Sequence, residues 1–179
     1  TVEQAVDQTI SKILYNGHTA SKEEYSGDTL LVRDIIVKYI LRGIMRHDIS
    51  HDDYTISGLE KEIPYQYRIT SGQAIKLAGR ADRIDRLSDG TIQVIDYKSG
   101  YHPHLEYLDI HSLFHGESQQ RISNIFQTLL YSMILYRSEG VDTMPSLFYA
   151  SRMLDSKYSP LITEKLTNRA ITRYSMIAT

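Results

Sequence analysis

Two short runs, Gly79-Arg80-Ala81-Asp82-Arg83-Ile84-Asp85 and Val94-Ile95-Asp96-Tyr97-Lys98-Ser99-Gly100, constrain this chain more than any other part of it. They read as two strands closed by Ser88-Asp89-Gly90, the Asp-Gly connection of a β-hairpin. Along the second strand the side chains alternate. Ile92, Val94, Asp96 and Lys98 face one way, and Thr91, Gln93, Ile95 and Tyr97 the other. An apolar face therefore ends in a carboxylate and an ammonium, and burying charge there is costly unless something pairs with it. Asp82, on the neighbouring strand, faces the same way as Asp96 and adds a second carboxylate. Two carboxylates brought close push one toward protonation unless a cation sits between them. Oxygen ligands of this kind suit magnesium or manganese, which keep bound waters and leave room for a phosphate. Lys98 shares the face of Asp96 and is placed to reach a water or phosphoryl oxygen over such an ion. The competing reading is a surface hairpin with an Asp96–Lys98 salt bridge worth about 0–1 kcal/mol. Spacing alone does not separate the two.

Composition narrows what surrounds the hairpin. A chain of 179 residues with 41% hydrophobic content can build one domain with a real core. Charged residues at 23% and a net charge of -2 exclude a disordered chain and a globally basic nucleic-acid binder, while leaving room for a local basic groove. No apolar run approaches the ~20 residues that span a bilayer, and Thr1 to Ile10 lacks the basic start and apolar stretch of a secretion signal. A cytoplasmic protein with no membrane partner is the expectation. The absence of cysteine excludes disulfides, thiol nucleophiles, iron–sulfur clusters and cysteine-based zinc sites.

Taken in order, the chain opens in a helix patterned by Val2, Ala5, Val6, Ile10, Ile13 and Leu14, with a capping box from Thr1 to Gln4, and Asn16-Gly17 ends it. A second helix is predicted from Asp28, its cap, to Met45, with Leu31, Ile35, Tyr39 or Ile40, and Ile44 buried. A loop from His47 to Asp53 follows. Strands are predicted over Tyr54 to Glu60, Tyr65 to Thr70, Ile75 to Leu87, Thr91 to Lys98 and Ser146 to Ala150. The connection from Ser99 to Gln120 carries His102, His104, His111 and His115 and is long enough to be functional; without fixed spacing those histidines are read as a solvated loop rather than a zinc site. The helix after it is patterned by Ile122, Ile125, Phe126, Leu129, Leu130, Met133 and Ile134 and stopped by Gly140. Its apolar stripe centres near Leu129 and Met133, which puts Gln127 and Tyr131, one above the other, off the stripe. Leu161 to Ala178 is weakly patterned. The layout is mixed α/β.

Gly79-x-x-Asp82-Arg83-Ile84-Asp85, then Asp96-Tyr97-Lys98-Ser99-Gly100, then Gln127-x-x-x-Tyr131 resembles the RecB/AddB-like nuclease domain of the PD-(D/E)XK superfamily. That branch shows G-x-x-D-R-I-D, D-Y-K-[ST]-G and Q-x-x-x-Y in this order. Three ordered motifs over some fifty residues are far more specific than a lone D-x-K. The resemblance covers about Glu60 to Ala150. It implies a restriction-endonuclease-like mixed central sheet flanked by helices, with residues 1–179 forming a single nuclease domain that is a piece of a longer helicase–nuclease. It implies that Asp82 and Asp96 bind the metal, Mg²⁺ or Mn²⁺, with the backbone carbonyl of Tyr97. Lys98 is the implied catalytic lysine, and Gln127 and Tyr131 the implied pair lining the site near the bound strand. Arg83 and Asp85 point away from Asp82 and are expected to form a cross-strand charge pair. An upstream G-x-x-x-H is also implied. Gly43-Ile44-Met45-Arg46-His47 carries its letters, but at a predicted helix end, so the expectation is that the motif lies before Thr1 and one ligand is absent from this chain.

The function expected from the resemblance is a Mg²⁺-dependent deoxyribonuclease, an exonuclease in recombinational DNA repair, acting on single-stranded DNA ends beside a linked or associated helicase and holding no iron–sulfur cluster. The alternatives are a non-catalytic DNA-end-binding module on the same fold and a metal-dependent enzyme acting on another phosphodiester, such as RNA.

Overall fold

The computed structural model describes residues 1–18, 21–50, 53–69, 72–100, 119–164 and 169–170. The expected histidine-bearing connection lies, over residues 101–118, outside them. Contacts divide the chain into two compact units, Thr1–His51 with Met153–Ser156, and Asp52–Arg152 with Lys157–Thr179.

The first unit is helical. Helix α1, Val2–Leu14, starts from the predicted capping box, in which the Thr1 hydroxyl accepts the Gln4 N–H and the Gln4 side chain reaches back to Thr1. Asn16 and Gly17 follow it at φ 52 and φ 83, the left-handed conformations that stop a helix. Helix α2, Gly27–Tyr39, is capped by Ser26, whose Oγ accepts the Thr29 N–H, and not by Asp28. It does not end near Met45. A single π turn, Ile40–Ile44, in which the Met45 N–H donates to the Ile40 carbonyl, leads directly into α3, Met45–Ser50. Residues 47–50, expected in a loop, are therefore helical.

The buried side of α2 also differs from expectation. Arg33 and Val37 are buried, with Leu30 and Ile40 packed beside them against Val6, Ile10 and Tyr25, while Leu31 is 62% and Ile35 39% exposed. Arg33 holds the inward seat because it is paired. Its Nε donates to Asp7 Oδ1 at 2.5 Å, its Nη2 to Asp7 Oδ2 at 3.0 Å, and its Nη1 to Asp34 at 2.9 Å. Gly43 has a packing reason of its own, since a Cβ there would lie 2.7 Å from the Met153 Cβ.

The second unit is built on strands β1 (Tyr54–Glu62), β2 (Tyr65–Arg68), β3 (Ala74–Leu77), β4 (Arg80–Leu87) and β5 (Ile92–Lys98), then helix α4 (Gln119–Glu139) and strand β6 (Thr143–Tyr149). The main sheet has the order β1-β4-β5-β6. β1–β4 and β4–β5 pair antiparallel, and β5–β6 pair parallel, with α4 in the connection between them as parallel pairing demands. The predicted strand Ile75 to Leu87 is broken at residues 78 and 79, so that β3 pairs with β2 in a separate hairpin. The predicted turn closes β4 onto β5, with Gly90 at φ 88 and the Asp89 carboxylate accepting the Thr91 N–H at 2.8 Å. A small pair, β7 (Thr163–Glu164) and β8 (Arg169–Ala170), follows.

Tyr131, Ile134 and Leu135 of α4 pack on Ala81, Ile84, Ile92 and Val94 of β4 and β5, with Ile63. Among the described side chains of α4, Ile125, Thr128, Leu129, Tyr131, Ser132, Ile134 and Leu135 are buried, whereas Phe126 is 41% exposed. The inward face is thus turned by roughly a third of a turn from the predicted stripe. Thr128 and Ser132, fully buried, occupy positions that a hydrophobicity pattern leaves to solvent; Thr128 satisfies its hydroxyl on the Asn124 carbonyl at 3.0 Å. The architecture is the expected restriction-endonuclease-like α/β fold with a mixed central sheet. Among the described residues no helix is long and apolar enough to cross a membrane.

Candidate active site

The register Ile84↔Val94 and Arg83↔Ile95, continued by one step, sets Asp82 beside Asp96 at the end of the hairpin away from its turn. Asp82 is tied to β5: its Oδ2 accepts the Tyr97 N–H at 2.7 Å. Asp96 is 2% exposed, which rules out a surface salt bridge. Its Oδ2 lies 2.5 Å from Lys98 Nζ and, among the described residues, receives no well-directed hydrogen bond. Burial pushes the Asp96 carboxyl above the usual carboxylate range; the Lys98 ammonium opposes that shift and the charge of Asp82 adds to it.

The same ammonium is held from the helix side. Lys98 Nζ donates to Gln127 Oε1 at 3.3 Å, and Gln127 Nε2 donates to Tyr131 Oη at 2.8 Å. The five side chains Asp82, Asp96, Lys98, Gln127 and Tyr131 are therefore brought together at one end of the hairpin, with the Tyr97 backbone between the two acids. Tyr131 departs from its expected position. It is buried in the core, not off the inward face, because the face is turned as described above.

Strand patterning does not single out Gly79 as part of the site, yet it belongs there. A Cβ built on it would fall 2.1 Å from Tyr131 Cε1 and 2.8 Å from Tyr131 Oη. The tyrosine ring lies directly on the glycine backbone, so the first letter of one motif seats the last letter of another. A glycine three residues ahead of an acid, at a break between two strands, is the signal that carries this.

Arg83 and Asp85 also depart from expectation. They pair along one strand, not across two, through Arg83 Nε to Asp85 Oδ1 at 2.8 Å and Nη2 to Asp85 Oδ2 at 2.7 Å. Both are buried, and the Arg83 guanidinium lies 5.3 Å from the centre of the Tyr54 ring.

The donor set suits a hard divalent ion. Asp82 and Asp96 offer carboxylate oxygens, and a cation, the Lys98 ammonium, already sits against an Asp96 oxygen that lacks a directed hydrogen bond. Among the described residues no group of three or more His, Cys, Asp or Glu side chains is arranged to hold an ion; Asp82 and Asp96 are the two acids brought together here. His47 lies in α3, in the other unit.

Residues 2–168 match the family model of the PD-(D/E)XK nuclease superfamily. The chain is similar to a subunit of the ATP-dependent helicase/deoxyribonuclease of Acetivibrio thermocellus, 33% identical over 107 residues, 55% of this chain and 9% of that protein. The protein of the same name from Streptococcus agalactiae serotype Ia is 33% identical over 85 residues, 48% of this chain and 7% of the relative. That from Streptococcus mutans serotype c is 37% identical over 59 residues, 33% of this chain and 5% of the relative. The chain thus spans less than a tenth of the length of these relatives.

Proposed function

This chain belongs to the PD-(D/E)XK nuclease superfamily, and from that premise we propose that residues 1–179 act as one nuclease domain hydrolysing phosphodiester bonds in DNA. The observation that carries this reading is the placement of Lys98, shared between Asp96 at 2.5 Å and Gln127 at 3.3 Å, beside an Asp82 anchored on the Tyr97 N–H. Asp82, Asp96 and the Tyr97 carbonyl would hold Mg²⁺ or Mn²⁺. When bound, such an ion makes hydroxide available near neutral pH and polarises the scissile phosphate. The chain's own residues do the rest. Lys98 turns its ammonium from Asp96 toward the phosphate and offsets charge that develops there. Gln127 keeps that ammonium over the hairpin, and Tyr131 fixes which way the Gln127 amide points. Burial disfavours the ionised form of Asp96 unless a cation meets it, which favours occupancy of the site by an ion.

Single-stranded DNA ends are the proposed substrate, with exonucleolytic action, in the cytoplasm and beside a helicase, as part of recombinational repair. The relatives' name, which joins helicase to deoxyribonuclease, supports this setting. The test is cleavage of labelled single-stranded DNA by the full-length protein with Mg²⁺, compared with its Asp96→Ala version. Cleavage by the first alone is expected; equal activity would overturn the proposal. A second reading, a DNA-end-binding module that does not cut, draws on the presence of only two clustered acids among the described residues. DNA binding with no Mg²⁺ or Mn²⁺ requirement and no product would favour it.

A further inference from the structure

We propose that the helical unit carries a second nucleic-acid contact, a groove along Lys38, Arg42 and Arg46 that takes the phosphate backbone of a single strand. This rests on the nuclease reading above but uses none of the residues of the hairpin site. Lys38, Leu41, Arg42, Arg46 and Leu154 line an open groove of about 580 Å³. All three cations are exposed.

The geometry comes from the π turn. Residues four apart on an α-helix drift by about 40° per step and rise by ~6 Å. The wider π turn at Ile40–Ile44 lies within this row and takes up part of that drift, and all three cations line the one groove. Three cations along one groove suit the successive charges of an extended strand better than a single anion. Arg46 is held in place, its Nη2 donating to the Met153 carbonyl at 3.5 Å and the Asp155 carbonyl at 3.2 Å. Gly43, in the same turn, lets Met153 approach closely and so brings Leu154 to the groove wall. Leu41 at 43% and Leu154 at 37% exposure add apolar surface beside the cations. The row has a defined end. The neighbouring groove shares Lys38, Leu41 and Arg42 with this one and adds Glu3 and Asp34 beside Arg33, so the favourable path leads away from those acids toward Arg46.

The test uses the full-length protein carrying Asp96→Asn, with a chelator present, so that binding is read without cleavage. Fluorescence anisotropy of a labelled single-stranded oligonucleotide is followed against salt. Adding Lys38→Gln and Arg42→Gln should weaken binding roughly ten-fold and lower the slope of log affinity against log salt by about 1.4, two contacts at ~0.7 each. Lys38→Arg with Arg42→Lys should keep both affinity and slope, which separates lost charge from lost folding. With Asp96 intact, the Gln pair should leave hydrolysis of bis(p-nitrophenyl) phosphate unchanged, because that substrate is too small to use the groove. An unchanged DNA affinity and slope would overturn the proposal, as would a parent protein that binds no DNA. So would loss of polyglutamate binding with DNA binding intact, which would give the groove to an acidic protein segment. None of these results alters the cleavage test of Asp96, so the two proposals fail separately.

Discussion

The hairpin carries two acid–base pairs, each two residues apart on one strand, and they are built differently. Asp85 and Arg83 on β4 meet at two points: Nε donates to Oδ1 at 2.8 Å and Nη2 lies in ion-pair contact 2.7 Å from Oδ2, both residues are buried, and a tyrosine ring covers the guanidinium. Asp96 and Lys98 on β5 meet at one point. The acid is buried, the lysine side chain is 22% exposed, and the ammonium is also shared with Gln127. A buried guanidinium that meets two carboxylate oxygens at once has little to gain from a new partner. A compact ammonium on a flexible stem can leave one carboxylate oxygen for another ligand at small cost. Spacing is identical; the first pair is closed on itself, and the second is the one proposed to open to a substrate or ion.

That contrast can be broken at several points. The largest effect is expected from Asp96→Asn, which should cut DNA cleavage by at least roughly 10²–10³ without lowering the thermal unfolding midpoint. The mirror experiment is Asp85→Ala, which strands the buried Arg83 charge and should destabilise the protein by about 3–5 kcal/mol in urea unfolding. Cleavage per folded molecule should change little. Replacing both members, Arg83→Met with Asp85→Leu, should recover much of that loss; no recovery would argue that Asp85 has a role beyond the pair.

Gly79→Ala is expected to act on both properties. The added methyl meets the Tyr131 ring at 2.1 Å, so the ring must move, at about 1–3 kcal/mol of stability, and Gln127 loses its anchor. Tyr131→Phe keeps the ring and removes only the hydroxyl, about 1 kcal/mol, and should reduce cleavage less than Gly79→Ala. The reverse order would mean that the hydroxyl acts on the substrate directly.

The smallest effect is on pH dependence. Because burial holds the Asp96 carboxyl above its ordinary range, the folded protein takes up that proton at higher pH than the unfolded chain. Within that window the folded state binds more protons, so this group's contribution to stability rises as pH falls through the folded value. Without added metal ion, the stability difference between Asp96→Asn and wild type should shrink as pH is lowered. A difference that stays constant would contradict a buried, proton-shifted Asp96.

The hairpin, its Asp-Gly turn and the two acids are legible in the sequence because strand alternation and turn chemistry are local rules. The buried face of α4 is not, since Thr128 and Ser132 turn inward with their hydroxyls, and a hydrophobicity pattern cannot anticipate that. Arg33 misleads in the same way: a paired arginine takes the seat that the pattern gives to Leu31 and Ile35. The helix running through a π turn to Ser50 follows from backbone hydrogen bonding that no single residue announces. Gly79 is legible as a motif letter, but its contact with Tyr131 depends on a packing across some fifty residues that only the fold supplies.

The most direct measurement is DNA cleavage, with Mg²⁺ and at matched folded concentration, by full-length protein carrying Asp96→Asn or Asp85→Asn. Loss of cleavage in the first with substantial activity in the second is the predicted result. Equal activity of the Asp96 variant and wild type, or equal loss in both variants, would contradict the assignment of the open pair to chemistry and the closed pair to structure.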